Sequence, residues 1–358
     1  MKALRWHGPK DVRIDEVPDP APAPGEVVIA VAACGICGSD LHEYLDGPVL
    51  IPKAPHPLTG GMPPVTLGHE FSGRVVEVGA EVEGARRGER VTVNPCLLCL
   101  ECAWCRRGQL NYCAKLGSLG LSRDGALAPL VSVPAYGCHV LPPEVDDHGG
   151  AVVEPLAVAL HACRRARLRG GERVAVIGAG AIGLLVLQVL KAKGAGWVAV
   201  IEPREERRRL ARDLGADVVI DPETEDPVRA VARRTGEERV AAAFECVGSP
   251  PAFATAFRAA GKGGRVVIVG LLPQPVQTNL LGLLVHEKEI IGSSAYVDEF
   301  SEAIGLLAQG RIRTDPLVTA HIPLEDAPAR GLEALLRREE AHVKILVIPT
   351  GPGERNGS

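Results

Sequence analysis

The sequence predicts a mixed α/β chain: a β-rich first segment, then a block in which strands and helices alternate as in a doubly wound parallel sheet. Three observations carry that prediction. Short β-type runs at 27–32, 73–78 and 90–93 are separated by Gly and Pro, and helical periods are scarce before residue 150. From residue 152 onward strands and helices alternate, which implies parallel strands with helices on both faces. A glycine-rich turn, 178–183, joins the first strand of that block directly to its first helix.

The chain has 358 residues, enough for about two domains at roughly 150 residues each. It is 46% hydrophobic and 23% charged, a globular composition. A net charge of −4 and a pI near 6.2 leave no broad basic face for phosphate backbones, so nucleic acid is not an expected partner. The most apolar uncharged stretch, 174–190, is broken by glycines and shorter than the ~20 residues a membrane helix needs, so no membrane role is expected. The opening M-K-A-L-R-W-H-G-P-K has no apolar h-region or cleavage site, and a cytoplasmic location is the expectation. Thiols stay reduced there, so clustered cysteines point to metal ligation rather than disulfides.

In chain order, the alternating block reads as strand 173–177, helix 181–193, strand 197–202 and a charged helix 204–214. Further strands follow at 217–220, 241–245 and 265–269. An amphipathic helix at 299–309 precedes short strand and helix candidates ending in 342–348, and the Gly-rich tail 350–358 is expected to be disordered. Domain boundaries are read at 1–150, 151–295 and 296–358.

Gly178-Ala179-Gly180-Ala181-Ile182-Gly183 follows the apolar strand V-A-V-I and opens a helix. The first glycine suits a tight turn, the second lets backbone approach a pyrophosphate, and the third lets helix pack on strand. The N–H groups at the helix start then face the phosphates. Glu202 closes the next strand, where a carboxylate accepts hydrogen bonds from adenosine ribose hydroxyls and repels a 2′-phosphate, so NAD is the expected cofactor. Arg204 and Arg207 follow closely, either as solvated charges on a helix face or as cations that weaken the preference; Arg207 is counted with the cofactor residues.

Two groups of residues have the chemistry of zinc sites. Cys99, Cys102, Cys105 and Cys113 stand at C-x2-C-x2-C-x7-C, and four thiolates close the tetrahedron of a structural zinc. Cys96, Cys99, Cys102 and Cys105 form a rival quartet of equal steps. An iron-sulfur reading lacks the x3-C-P continuation. The second group is Cys37 in A-C-G-I-C-G-S-D-L-H, His69-Glu70 in L-G-H-E-F-S-G and Glu154 in V-V-E-P-L. A thiolate, an imidazole and a carboxylate leave a fourth position for water or substrate, the mark of a catalytic zinc. Cys34, immediately before G-I-C-G, also makes C-x2-C with Cys37 and reads more simply as a buried small hydrophobe.

These motifs, in this order and across nearly the whole chain, resemble the zinc-dependent medium-chain alcohol dehydrogenase family. The resemblance implies a GroES-like catalytic domain interrupted by a Rossmann cofactor domain, with the C-terminal segment returning to the first. It implies two zinc ions per chain, a catalytic one on Cys37, His69 and Glu154 and a structural one on Cys99, Cys102, Cys105 and Cys113. Glu70 would lie at or beside the catalytic metal, Asp40 would orient His69, and Ser39 and His42 would relay the alcohol proton. Val247 and Val269 fall in the family's nicotinamide pocket, with Phe244 and 270–271 as neighbours. Glu154 and the Pro-rich segment 42–59 resemble the (R,R)-2,3-butanediol dehydrogenase branch, with sorbitol-type polyol dehydrogenases as the alternative. The implied activity is NAD-linked interconversion of a vicinal diol and its ketone by a homodimer or homotetramer. A non-catalytic, zinc-stabilised NAD-binding module is the reading from another class, and it has no use for the relay residues.

Overall fold

The computed structural model describes residues 1–236, 238–337 and 342–349. The disorder expected for 350–358 falls outside them. Contacts divide the chain into one unit of Met1–Glu154, Phe300–Ala308 and Val318–Ser358, and a second of Pro155–Glu299 and Gln309–Leu317. The segment 309–317, read from sequence as part of the C-terminal return, clusters with the second unit instead.

The first unit is built on the strand Glu26–Gly35, whose sequence EVVIAVAACG is apolar almost without a break, as a strand covered on both faces requires. It pairs antiparallel with Glu70–Val78, Leu130–Pro134 and Lys344–Ile348. Gly35 lies opposite Glu70 on one side and Leu346 on the other. Three segments distant in sequence thereby meet at the C-terminal end of one strand. Leu4, Trp6, Ile29, Phe71 and Leu127 fill the core beneath. The chain then turns into a helix, Gly38–Asp46, which the sparse helical periodicity did not announce; Cys37 is its N-cap, and Asp40 accepts the Cys37 N–H at 2.9 Å.

The second unit holds six parallel strands in the spatial order Val218–Ile220, Trp197–Ile201, Arg173–Ile177, Val240–Glu245, Ala260–Ile268 and Glu289–Gly292. This is the doubly wound order. The chain direction of winding reverses between Arg173–Ile177 and Val240–Glu245, and ligands bind beyond the carboxyl ends of strands at such a switch point. Helix Ala181–Ala192 buries Leu184 to Leu187, Val189 and Leu190 because its apolar residues surround the axis. Asp226 caps helix Pro227–Thr235 through the Val228 and Arg229 N–H groups, and Ser249 caps Pro250–Ala259. Among the described residues no helix is long and apolar enough to cross a membrane.

Candidate metal centres and dinucleotide site

In the first unit, ligand atoms of Cys37, His69 and Glu70 lie within 4.8 Å of one another. The fold brings them there by short routes. Cys37 starts a helix just past Glu26–Gly35, and His69 immediately precedes the paired strand Glu70–Val78. Gly68, at φ +98°, turns the chain into that strand; a Cβ there would stand 2.7 Å from both Cys34 Sγ and Leu127 N. Ser39 Oγ is 3.3 Å from His69 Nε2, and Asp40 Oδ1 is 3.8 Å from His69 Nδ1, in ion-pair range but beyond a hydrogen bond. His42 lies one turn after Ser39 on the same helix, half-buried.

Glu154, in the first turn of helix Val153–Arg165, is buried but is not one of the three mutually close residues. Its charge still bears on both His69 and Lys344. Lys344 has no counterpart in the sequence reading. Its Nζ lies 2.5 Å from Glu70 Oε2 and 3.0 Å from the Ile36 carbonyl, with both side chains buried. A lone lysine at the head of the apolar run K-I-L-V-I was the only signal. Glu43 was missed as well: its buried carboxylate accepts from Val49 at 2.9 Å, from Ile51 at 3.1 Å and from Leu50, gathering the start of the Pro-rich segment.

The electrostatics fit a bound cation. Burial works against a protonated His69, but the Cys37 thiolate, Asp40 and Glu154 outweigh it and hold the imidazole well above its usual value. Burial, then the Glu70 charge, push the Cys37 thiol up, and burial does the same to Asp40. Cys37, Asp40, Glu70 and Glu154 thus crowd around one permanent cation, Lys344. His69 Nδ1, Asp40 Oδ1 and Glu70 Oε1 are buried without a hydrogen-bond partner. A divalent ion that deprotonates the thiol and takes the imidazole nitrogen satisfies that set.

The four lobe cysteines Cys99, Cys102, Cys105 and Cys113 also lie within 4.8 Å of one another. Their sulfurs are 3.5 Å apart for Cys99 and Cys113, 3.6 Å for Cys102 and Cys105, and 4.0 Å for Cys99 and Cys105. A tetrahedron with metal–sulfur bonds of about 2.3 Å has edges of about 3.8 Å, so the thiols are spaced for zinc. Backbone N–H groups at Ala114 and Cys105 lower the Cys102 thiol to about 6, while burial raises Cys105 to about 12. All ten cysteines are free thiols. Cys96 sits in the short strand Cys96–Leu97, paired with Ser118, and is not among the four. Cys34 is fully buried.

The second unit places Gly178 at φ +97° directly after Arg173–Ile177, where a Cβ would meet Val247 Cγ2 at 2.6 Å. Gly180 is the N-cap of helix Ala181–Ala192, and no side chain occupies its cap bond, which leaves the N–H groups of Ala181, Ile182 and Gly183 for an anion. A Cβ on Gly183 would collide with the Gly178 carbonyl, so helix and turn are in backbone contact. Glu202, buried after strand Trp197–Ile201, accepts from Ala179 N at 2.7 Å and Arg204 N at 3.1 Å. Arg207 Nη1 is 3.9 Å from the Cβ position of Gly180. Val247 is 51% exposed at the switch point despite its apolar side chain, and Val269 N donates to the Glu245 carbonyl at 2.9 Å.

Residues 23–143 match the family described as alcohol dehydrogenase GroES-like domain, and residues 181–309 that described as zinc-binding dehydrogenase. The chain is 42% identical to the (R,R)-butanediol dehydrogenase of Bacillus subtilis, over 98% of this chain and 100% of that protein. It is 34% identical to the sorbitol dehydrogenase of Homo sapiens, over 99% of this chain and 97% of that one. A crystal structure of 2R,3R-butanediol dehydrogenase from Bacillus subtilis superposes with a TM-score of 0.90 at 41% identity, covering 98% and 99% of the two chains.

Proposed function

Since the chain belongs to the zinc-binding, GroES-like alcohol dehydrogenase family, we propose that it is a cytoplasmic NAD-dependent enzyme interconverting a vicinal diol and its hydroxyketone, with (R,R)-2,3-butanediol and acetoin as substrate pair. The observation that carries this reading is the thiol–imidazole–carboxylate cluster at half-buried Cys37 and buried His69 and Glu70, in a chain with a dinucleotide turn and full-length likeness to a butanediol dehydrogenase. The first unit serves as catalytic domain and the second as NAD domain.

Zinc on these residues lowers the pKa of a coordinated hydroxyl, by enough to bring water to about 7, and NAD accepts hydride at the nicotinamide. Cys37 and His69 would hold the metal with Glu154 as the third ligand, while Glu70, the close carboxylate, is paired with Lys344. Asp40 orients the His69 ring by its Nδ1 side. Oxidation releases a hydride from the carbinol carbon and a proton from its hydroxyl. Ser39 Oγ, beside His69 Nε2, takes that proton and His42 passes it outward. Ala181, Ile182 and Gly183 offer N–H groups to the pyrophosphate, Glu202 and Arg207 flank the adenosine ribose, and Val247 and Val269 flank the nicotinamide.

Cofactor chemistry and an intact relay favour catalysis over a zinc-stabilised NAD-binding module. A homodimer or homotetramer is supported by the edge strand Glu289–Gly292, whose outer ladder is unpaired among the described residues, beside exposed Leu280, Leu281, Leu284, Val285 and Ile290. Rates on (R,R)-, (S,S)- and meso-butanediol, acetoin and sorbitol test the substrate. The proposal expects the highest kcat/KM for the (R,R) diol; a higher value for sorbitol overturns it in favour of the polyol reading.

A further inference from the structure

Two histidines that belong to no motif meet on the surface of the first unit. His148, in helix Asp147–Ala151, and His321, in strand Val318–Pro323, are both exposed, and their ring centroids lie 4.3 Å apart with the planes tilted by 39°. Neither imidazole makes a hydrogen bond among the described residues, so the ring nitrogens of both are uncommitted. The adjacent carboxylates are engaged differently. Asp147 Oδ1 is held by Arg90 Nε at 2.9 Å, whereas Asp146 gives one oxygen to the Gly149 N–H at 2.7 Å and its charge bears on His321. Burial, then the neighbouring His148, hold His321 below the ordinary imidazole value, which keeps it unprotonated at neutral pH.

Two neutral imidazoles at this spacing match adjacent positions on one metal ion. With metal–nitrogen bonds of about 2.1 Å and ring centres about 1.1 Å behind the nitrogens, two rings at a right angle have centres about 4.5 Å apart, and a tetrahedral angle spreads them to about 5.2 Å. The observed 4.3 Å fits the right angle of a tetragonal or octahedral ion. Exposure lets each ring turn a nitrogen inward. We propose that His148 and His321 form a third metal site, for a divalent ion of the nickel and copper class, with water in the remaining positions. The ion ties helix Asp147–Ala151, just ahead of Glu154, to strand Val318–Pro323 in the C-terminal part of the same unit. Two ligands in solvent hold an ion more weakly than four buried thiolates do, so this site fills by mass action.

Titration calorimetry of the full, zinc-loaded chain with Ni²⁺ tests it, with zinc content measured before and after so that exchange at the cysteine sites is seen. One Ni²⁺ per chain should bind with zinc unchanged. At a Ni²⁺ concentration ~100-fold above Kd the thermal midpoint should rise by ~5–10 °C. His148→Gln and His321→Gln should each weaken Ni²⁺ by ~10-fold or more, since losing a ligand costs no less than losing the group that supports one. Both variants should keep the wild-type midpoint and kcat without nickel, which separates loss of the site from a folding defect. Nickel binding unchanged in either variant, nickel taken up only as zinc is lost, or no binding up to ~1 mM leaves a stacked pair only and overturns the proposal.

Discussion

Replacing Lys344 by Met isolates the least expected feature of the metal site. The Nζ to Oε2 separation of 2.5 Å corresponds to a Coulomb attraction of about 7 kcal/mol at an effective dielectric of about 20. Desolvation of both ions offsets much of that, so the intact pair adds little net stability; the loss comes from leaving Glu70 charged and alone, with Oε1 already lacking a partner. Breaking a buried pair from one side costs about 3–5 kcal/mol. At about 2–4 °C per kcal/mol for bodies of this size, the thermal midpoint of chelator-treated Lys344→Met should fall by roughly 6–20 °C. Zinc beside Glu70 supplies a replacement cation, so the deficit should shrink in zinc-loaded protein. Adding Glu70→Gln removes the stranded charge and should recover more than half of the loss. Differential scanning fluorimetry of the three proteins, with and without zinc, reads all of this. A shift under 2 °C in the stripped variant, or an equal deficit with and without zinc, refutes the electrostatic reasoning.

Three further outcomes are expected. Cys37→Ser should reduce zinc from two ions per chain to one by atomic absorption and cut kcat by at least 100-fold, with the thermal midpoint of the rest of the chain preserved; wild-type turnover in this variant rules out the assigned site. Cys113→Ser should also lose one zinc, whereas Cys96→Ser, altering a residue outside the four-sulfur cluster, should retain both; the opposite pattern selects the other cysteine register. The last concerns acid stability. Burial opposes the Glu299 carboxylate, but a hydrogen bond to His161 at 2.8 Å, the Val297 N–H and the charges of His161 and Arg164 outweigh it and hold the group at about 2. A depressed folded pKa stabilises the protein above the unfolded value of about 4.3, and that contribution is lost as pH falls toward 2. Glu299→Gln should therefore melt lower than wild type at pH 7 and show a smaller drop between pH 5 and pH 2.5; parallel melting curves across that window count against the pairing.

What the sequence could disclose was set by how far apart the cooperating residues lie. The four lobe cysteines occupy fifteen consecutive positions and the dinucleotide turn six, so spacing alone carries their chemistry. The alternating strands of the second unit were legible for a similar reason: each buried strand is a short apolar run bounded by glycine or charge, as at Arg173–Ile177 and Trp197–Ile201. Lys344 and Glu70 are 274 positions apart, and His161 and Glu299 are 138 apart. No local pattern links such pairs; only the strand pairing of Leu346 with Gly35 and of Gly35 with Glu70 brings the first together. Glu43 was hidden differently, since a glutamate between His42 and Tyr44 reads as a solvated helix face until its carboxylate is seen folded onto Val49, Leu50 and Ile51. Glu202 was placed correctly at the end of its strand, but its two backbone hydrogen bonds have no sequence signature. The metal site shows the same division: the motifs containing Cys37, His69 and Glu70 were readable, while the close trio includes Glu70 and leaves Glu154 outside it, a matter of side-chain reach.

The central claim is that this chain passes hydride from a diol carbon to NAD at a site that depends on Cys37. Incubation with (R,R)-2,3-butanediol deuterated at C2 and C3, followed by mass spectrometry of the cofactor, tests it directly. The account predicts one deuterium in each reduced nicotinamide for each acetoin formed, and none with Cys37→Ser. Acetoin formed without deuterium in the cofactor, or equal transfer by Cys37→Ser, would contradict it.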